Sequence, residues 1–149
     1  EFASNNYITG NHFSYAGIDP FHAPDGAAVR EFNNGFAGNV IAYNHFENNK
    51  IARAYFGVGI IQGEPNTWAF NNFINNEVDA KFYNTEWAVN PPHMKRNYHG
   101  TTNYDTALGK ILVYGPNSKP YCLLSPIASV QIAWKVRPDP SQLIYGSGC

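Results

Sequence analysis

Apolar and polar positions alternate along this chain in short runs, each broken at asparagine or glycine after a few residues. In "NVIAYNHFENN", Asn39 to Asn49, Val40 or Ile41 and Tyr43 oppose Phe46. In "NTWAFNNFINN", Asn66 to Asn76, Trp68 and Phe70 oppose Phe73. Runs of this length suit β-strands, in which successive side chains point to opposite faces. Helix is a poor competitor, because asparagine and glycine are weak helix formers and here they punctuate every run.

A third copy, "NYITGNHFSY", starts at Asn6. Superposition aligns Asn6 with Asn39 and Asn66, Ile8 with Ile41 and Trp68, Asn11 with Asn44 and Asn71, and Phe13 with Phe46 and Phe73. The spacings, 33 and then 27 residues, are too uneven for a helical solenoid and suit coils whose loops differ in length. Asparagine tolerates the left-handed backbone of a tight corner, and its amide can bond the equivalent asparagine one coil away. The apolar positions beside it would then stack inward, Phe13 on Phe46 on Phe73. The pattern predicts an all-β fold: a right-handed parallel β-helix of about three coils.

The rest of the chain is read around these coils. "AGIDPFHAPDGAAVREFNNGFAG" is a long insertion between the first two copies. "ARAYFGVGIIQGEP" holds a strand, Tyr55 to Gln62, and "KFYNTEWAV" a further strand pair. "NPPHMKRNYHGTTNYD" reads as a polar loop. Past residue 107 the style changes: "KILVYGPNSKPYCLL" is two apolar runs around a turn, and "SVQIAWKV" alternates with Val130, Ile132, Trp134 and Val136 on one face. We expect coils with inserted loops over 1–106, and over 107–149 a small antiparallel C-terminal β cap with an extended tail, covering an edge that would otherwise attract other strands.

Composition narrows the partners. The 149 residues suffice for one domain with an ordinary core, burying roughly 70% of the unfolded surface. With 14% charged residues and a net charge of −1, no basic face suggests nucleic acid. No apolar run approaches the 18 or so residues of a membrane span, and "EFASNN" is not a signal peptide. The opening falls inside a repeat phrase and three coils is near the minimum for a stack, so we expect a homo-oligomer or part of a longer chain. Asparagine, tyrosine, glycine and phenylalanine with few charges lean toward an extracellular protein. Cys122 and Cys149 could be bridged, worth about 3 kcal/mol in the chain-entropy model, or could be two thiols; their spacing is not that of a zinc site.

The repeat phrases look like those of right-handed parallel β-helix proteins of the pectate-lyase-like group, over about residues 5 to 90. Within it, "YAGIDPFHAPDG" resembles the Tyr-Gly-x-Asp-Pro-His motif of alginate (mannuronan) C5-epimerases, with Phe21 inserted before His22 and Tyr15 one residue farther from Asp19. "GVGIIQGEPNTWAFNN" resembles the coils that follow that motif. In this family's chemistry the carboxylate of a uronate is neutralised, a base removes the C5 proton, and either reprotonation or loss of the 4-linked sugar follows. The resemblance implies Asp19 at the sugar carboxylate and His22 or Tyr15 as base or acid.

For the neutralising cation our own candidate is Arg53, one coil on, which could grip a carboxylate bidentately. Tyr43 and Tyr55 could stack on sugar rings, and Glu64, one of several loop acids, completes the substrate-binding candidates. His12 and His45 occupy equivalent places in successive copies. With Asn72 in the third copy and no evident acid beside them, they read as an outward polar stack, and no metal is expected. No phosphate loop, Gly-x-Ser-x-Gly elbow or cysteine nucleophile occurs, and no cofactor is expected. The expected function is binding or processing of a polysaccharide, most concretely as a uronate C5-epimerase or lyase. The alternative is a non-catalytic structural or adhesive module of the tailspike or surface-fibre kind, so whether the chain is an enzyme stays open.

Overall fold

The computed structural model describes residues 6–18, 26–33, 39–57, 67–83, 94, 96–114 and 127–133. Among them the strands are β1 (Tyr7–Thr9), β2 (His12–Ser14), β3 (Ala27–Asn33), β4 (Val40–Ala42), β5 (His45–Glu47), β6 (Ile51–Gly57), β7 (Thr67–Ala69), β8 (Asn72–Ile74), β9 (Val78–Tyr83) and β10 (Ile111–Tyr114), with one short helix, α1 (Tyr104–Gly109). They form three sheets, β1-β4-β7, β2-β5-β8 and β3-β6-β9-β10, and every pairing is parallel. The chain therefore visits the three sheets in the same order three times. This all-β arrangement of parallel sheets is compatible with a parallel β-helix.

Register follows the repeat. Ile8 pairs with Ile41 and Ile41 with Trp68, while Phe13 pairs with Phe46 and Phe46 with Phe73. The phenylalanine rings lie 4.9 and 5.1 Å apart at 10° and 7°, a stack in which each contact adds about 0.5–1.5 kcal/mol beyond its burial. Phe46, Trp68 and Phe73 are essentially inaccessible to solvent.

The asparagines form ladders. The Asn44 side-chain oxygen accepts from the backbone N–H and the amide of Asn11, at 2.9 and 3.0 Å. Asn44 in turn donates its N–H and amide to the Asn71 oxygen, at 3.0 and 3.1 Å. A second ladder runs from the Ala16 N–H to Asn49 and on to Asn76. An exposed pair joins Asn6 to Asn39; Asn66 lies outside the described residues. Buried backbone groups at each corner thus find partners without water.

One detail differs from expectation. At the first corner the left-handed residue is not the ladder asparagine but the residue before it: Gly10, Tyr43, Phe70 and Arg96, with φ of 71°, 55°, 56° and 59°. The asparagine stays free to use its side chain for the ladder. The second corner follows the same rule, the residue before each ladder position being left-handed: Tyr15, Asn48 and Asn75, with φ of 58°, 54° and 53°.

The segment read as a polar loop begins a fourth pass. Asn97 Oδ1 accepts from the N–H and amide of Asn71, at 2.8 and 3.0 Å. Tyr98 bridges in parallel to Asn72, and the His99 ring stacks on Phe73 at 5.0 Å and 7°. The pass ends in β10, which runs parallel to β9, whereas an antiparallel arrangement was expected after residue 107. Helix α1, capped by the Asn103 side chain on the Thr106 N–H, delivers the chain to sheet β3-β6-β9-β10 in the parallel sense. Residues 127–133 contain no strand. Instead they lie along the stack, with the Ala128 N–H donating to Asn97 O and Ile132 exchanging two 2.7 Å bonds with the Asn72 side chain. The rest of the expected cap, with Cys122 and Cys149, lies outside the described residues.

Candidate functional site

The insertion that carries the epimerase-like motif leaves and rejoins the stack through two glycines in close contact. Gly17 has φ of 70°, and a Cβ placed on it would lie 2.1 Å from the carbonyl oxygen of Gly26. The glycine of the motif therefore closes the neck of the insertion. Asp19, His22 and Asp25 lie outside the described residues.

Tyr15, at the foot of this neck, is 61% exposed and held in the left-handed conformation. Ile18 is exposed beside it. A shallow cleft of about 350 Å³ runs across the same corner, lined by Ile18, Asn48, Asn49, Lys50, Asn75 and Glu77. Its walls come from the β2–β3, β5–β6 and β8–β9 connections, so the repeat itself lays the polar corner residues side by side. The cleft offers amides, one ammonium and one carboxylate to a ligand.

Arg53 is not in this cleft. Its side chain is fully buried in a column of apolar register partners, Val29, Ala80 and, beyond it, Ile111. The Nε donates to Glu31 Oε2 at 2.5 Å, and the guanidinium lies 4.4 Å from the centre of the Trp68 ring and 5.2 Å from that of Phe82. The other Glu31 oxygen accepts from the Trp68 indole at 3.0 Å. This constellation neutralises a buried charge and satisfies an indole. Tyr43 is half-buried and stacked on Phe70 at 5.3 Å. Tyr55 contributes its backbone to β6, its side chain being outside the described set, as is all of Glu64.

A family model, a curated protein or a solved structure matching this chain was not found. Its chemistry rests on its own residues.

The outer face of sheet β2-β5-β8 carries a second cluster. His12 and His45 are register partners, with rings 5.2 Å apart in an edge-on arrangement. The acid missed in sequence is Glu47, two residues after His45 and so on the same face of the strand. Its Oε2 lies 3.2 Å from His12 Nε2 and 3.8 Å from His45 Nε2. Burial holds the His45 pKa below the ordinary histidine value, opposed by the Glu47 carboxylate and reinforced by His12. The signal was present as an i, i+2 His-x-Glu in a strand beside a second histidine in register. It is visible once the strands are paired.

Proposed function

We propose that the chain is a right-handed parallel β-helix module, of the pectate-lyase-like kind, that binds an acidic polysaccharide at the cleft between the second and third sheets. The observation that carries this reading is the cleft's position: a polar groove with Lys50 in its wall, beside exposed Tyr15 and at the foot of the insertion bearing Asp19 and His22. Amide side chains suit sugar hydroxyls, an exposed tyrosine suits the face of a pyranose ring, and an ammonium suits a uronate carboxylate. In the catalytic form of the proposal, Lys50 takes the neutralising role first given to Arg53. Asp19 then lies at the sugar carboxylate, and His22 or Tyr15, as base or acid, moves the proton at C5 of an epimerase or lyase. An acidic polysaccharide as ligand implies an extracellular setting.

The burial of Arg53 favours a second reading, in which the stack is a structural or adhesive rod that binds glycan without changing it. Calorimetric titration with uronate oligosaccharides separates these. Binding by the wild-type chain, weakened at least about fivefold in Lys50→Ala and Tyr15→Ala, supports the cleft. Absorbance near 230 nm then reports β-elimination, and proton-exchange NMR reports epimerisation. Binding with neither signal selects the adhesive reading, and no binding to any uronate polymer overturns both glycan readings.

A further inference from the structure

We propose that His12, His45 and Glu47 form a site for a divalent transition-metal ion, with zinc as its natural probe. The three side chains are positioned by the sheet rather than by a loop. His12 and His45 stand at matching positions of two paired strands, and Glu47 follows two residues along the same face, so all three project away from the Phe13, Phe46 and Phe73 column. Their ligand atoms lie within 4.8 Å of one another, with the carboxylate oxygen 3.2 and 3.8 Å from the two Nε2 atoms. Donors bound tetrahedrally to zinc at about 2.0–2.1 Å sit about 3.4 Å apart, so small side-chain rotations close the set and no strand needs to move.

The donor chemistry selects the ion. Two imidazoles and one carboxylate suit zinc, nickel or copper and disfavour calcium and magnesium, which seek oxygen alone. His12 is exposed, Glu47 half-buried and His45 buried. Three protein ligands on an open face leave the remaining coordination positions to water or to an oxygen of a bound molecule. The row is closed on its other side. The third place is Asn72, whose amide is tied by two bonds to the backbone of Ile132, so the 127–133 segment covers the face just where the histidines end.

The same row provides variants suited to folding, since asparagine already occupies its third position. Chelator-treated wild-type chain, titrated calorimetrically with Zn²⁺, is expected to bind one ion. His12→Asn, His45→Asn and Glu47→Gln should each weaken that binding at least tenfold, and His12→Asn/His45→Asn should abolish it. An excess of Ca²⁺ or Mg²⁺ should not compete. Independently of any variant, Co²⁺ should broaden the NMR signals of residues 12, 45 and 47 ahead of those of other histidines. Undiminished zinc affinity in His45→Asn and Glu47→Gln, broadening centred elsewhere, equal competition by Ca²⁺, or no binding overturns the site. None of these readouts involves a glycan, so they stand or fall apart from the cleft.

Discussion

Replacing Asn71 by alanine removes a rung of the first ladder whose side-chain bonds are all buried. Its oxygen accepts from the Asn44 N–H and amide, and its own amide donates to Ile41 O at 2.8 Å, Ala69 O at 3.2 Å and Asn97 Oδ1 at 3.0 Å. All five bonds lie at buried positions. The Asn44 amide keeps acceptors on Ile8 and Ala42, whereas the Asn44 backbone N–H and Ile41 O lose the partners just named. Net loss of bonds at roughly 0.5–1.5 kcal/mol each, with a stranded buried donor at about 1–3, gives a destabilisation of about 3–5 kcal/mol. Asn11→Ala tests the same chemistry at an exposed end of the ladder, where water can replace the side chain, and should cost less than about 1 kcal/mol. Urea titrations followed by tryptophan fluorescence measure both, provided the m-value is unchanged. Equal costs for Asn71→Ala and Asn11→Ala, or a cost below 1 kcal/mol for Asn71→Ala, would refute the view that ladder bonds hold the corners together.

Three further substitutions probe the interior. Arg53→Met leaves the Glu31 carboxylate without its buried cation and should cost about 3–5 kcal/mol, while Arg53→Met/Glu31→Gln recovers much of the loss; a thermal double-mutant cycle reads the coupling. His99→Phe completes the ring column on Phe73 but takes from Asp79 Oδ2 its bond to His99 Nδ1, 2.8 Å long with both groups buried, and leaves Asp79 the Asn76 amide at 3.3 Å. It should destabilise, and Asp79→Ala/His99→Phe should restore stability toward wild type by the same melting assay. Gly17→Ala meets Gly26 O at 2.1 Å and an unfavourable φ; about 1–2 kcal/mol from the backbone alone should appear as a lower melting temperature, together with altered amide shifts around Tyr15 and Ile18.

The ladders and the phenylalanine column were legible because the same residue types recur at the same places, so that aligning three phrases already pairs Ile8, Ile41 and Trp68. The fourth pass was hidden because it keeps geometry and discards identity. Met94, Arg96, Tyr98 and His99 stand where Trp68, Phe70, Asn72 and Phe73 stand one pass earlier, and of the marked positions the ladder residue Asn97 persists. Arg53 misled for a related reason. The sequence reads as a strand from Tyr55 to Gln62, which leaves Arg53 outside it; β6 begins at Ile51, and the interior place of Arg53 follows from its register partners. Glu47 was overlooked as a metal ligand because its relation to His12 crosses between strands.

Where an ionisable base enters an interior column, an acid enters with it: Glu31 for Arg53, Asp79 for His99. That pairing is what a low-dielectric interior requires, since an unpaired charge there costs several kcal/mol. The outer row is freer in the residue types it takes, although Glu47 accompanies its two histidines. His12, His45, Asn72 and Tyr98 follow one another along it, differing in size and charge while the sheet beneath them stays in register. The stack therefore does not demand histidine at positions 12 and 45. His12→Asn/His45→Asn should then leave the unfolding free energy from urea titration within about 1 kcal/mol of wild type, against several kcal/mol for breaking either interior pair. If the histidines were there for stability, this double variant would melt early even with metal removed. If they serve a ligand, the wild-type chain should gain stability on adding zinc, by the linkage of binding to folding, and the double variant should not.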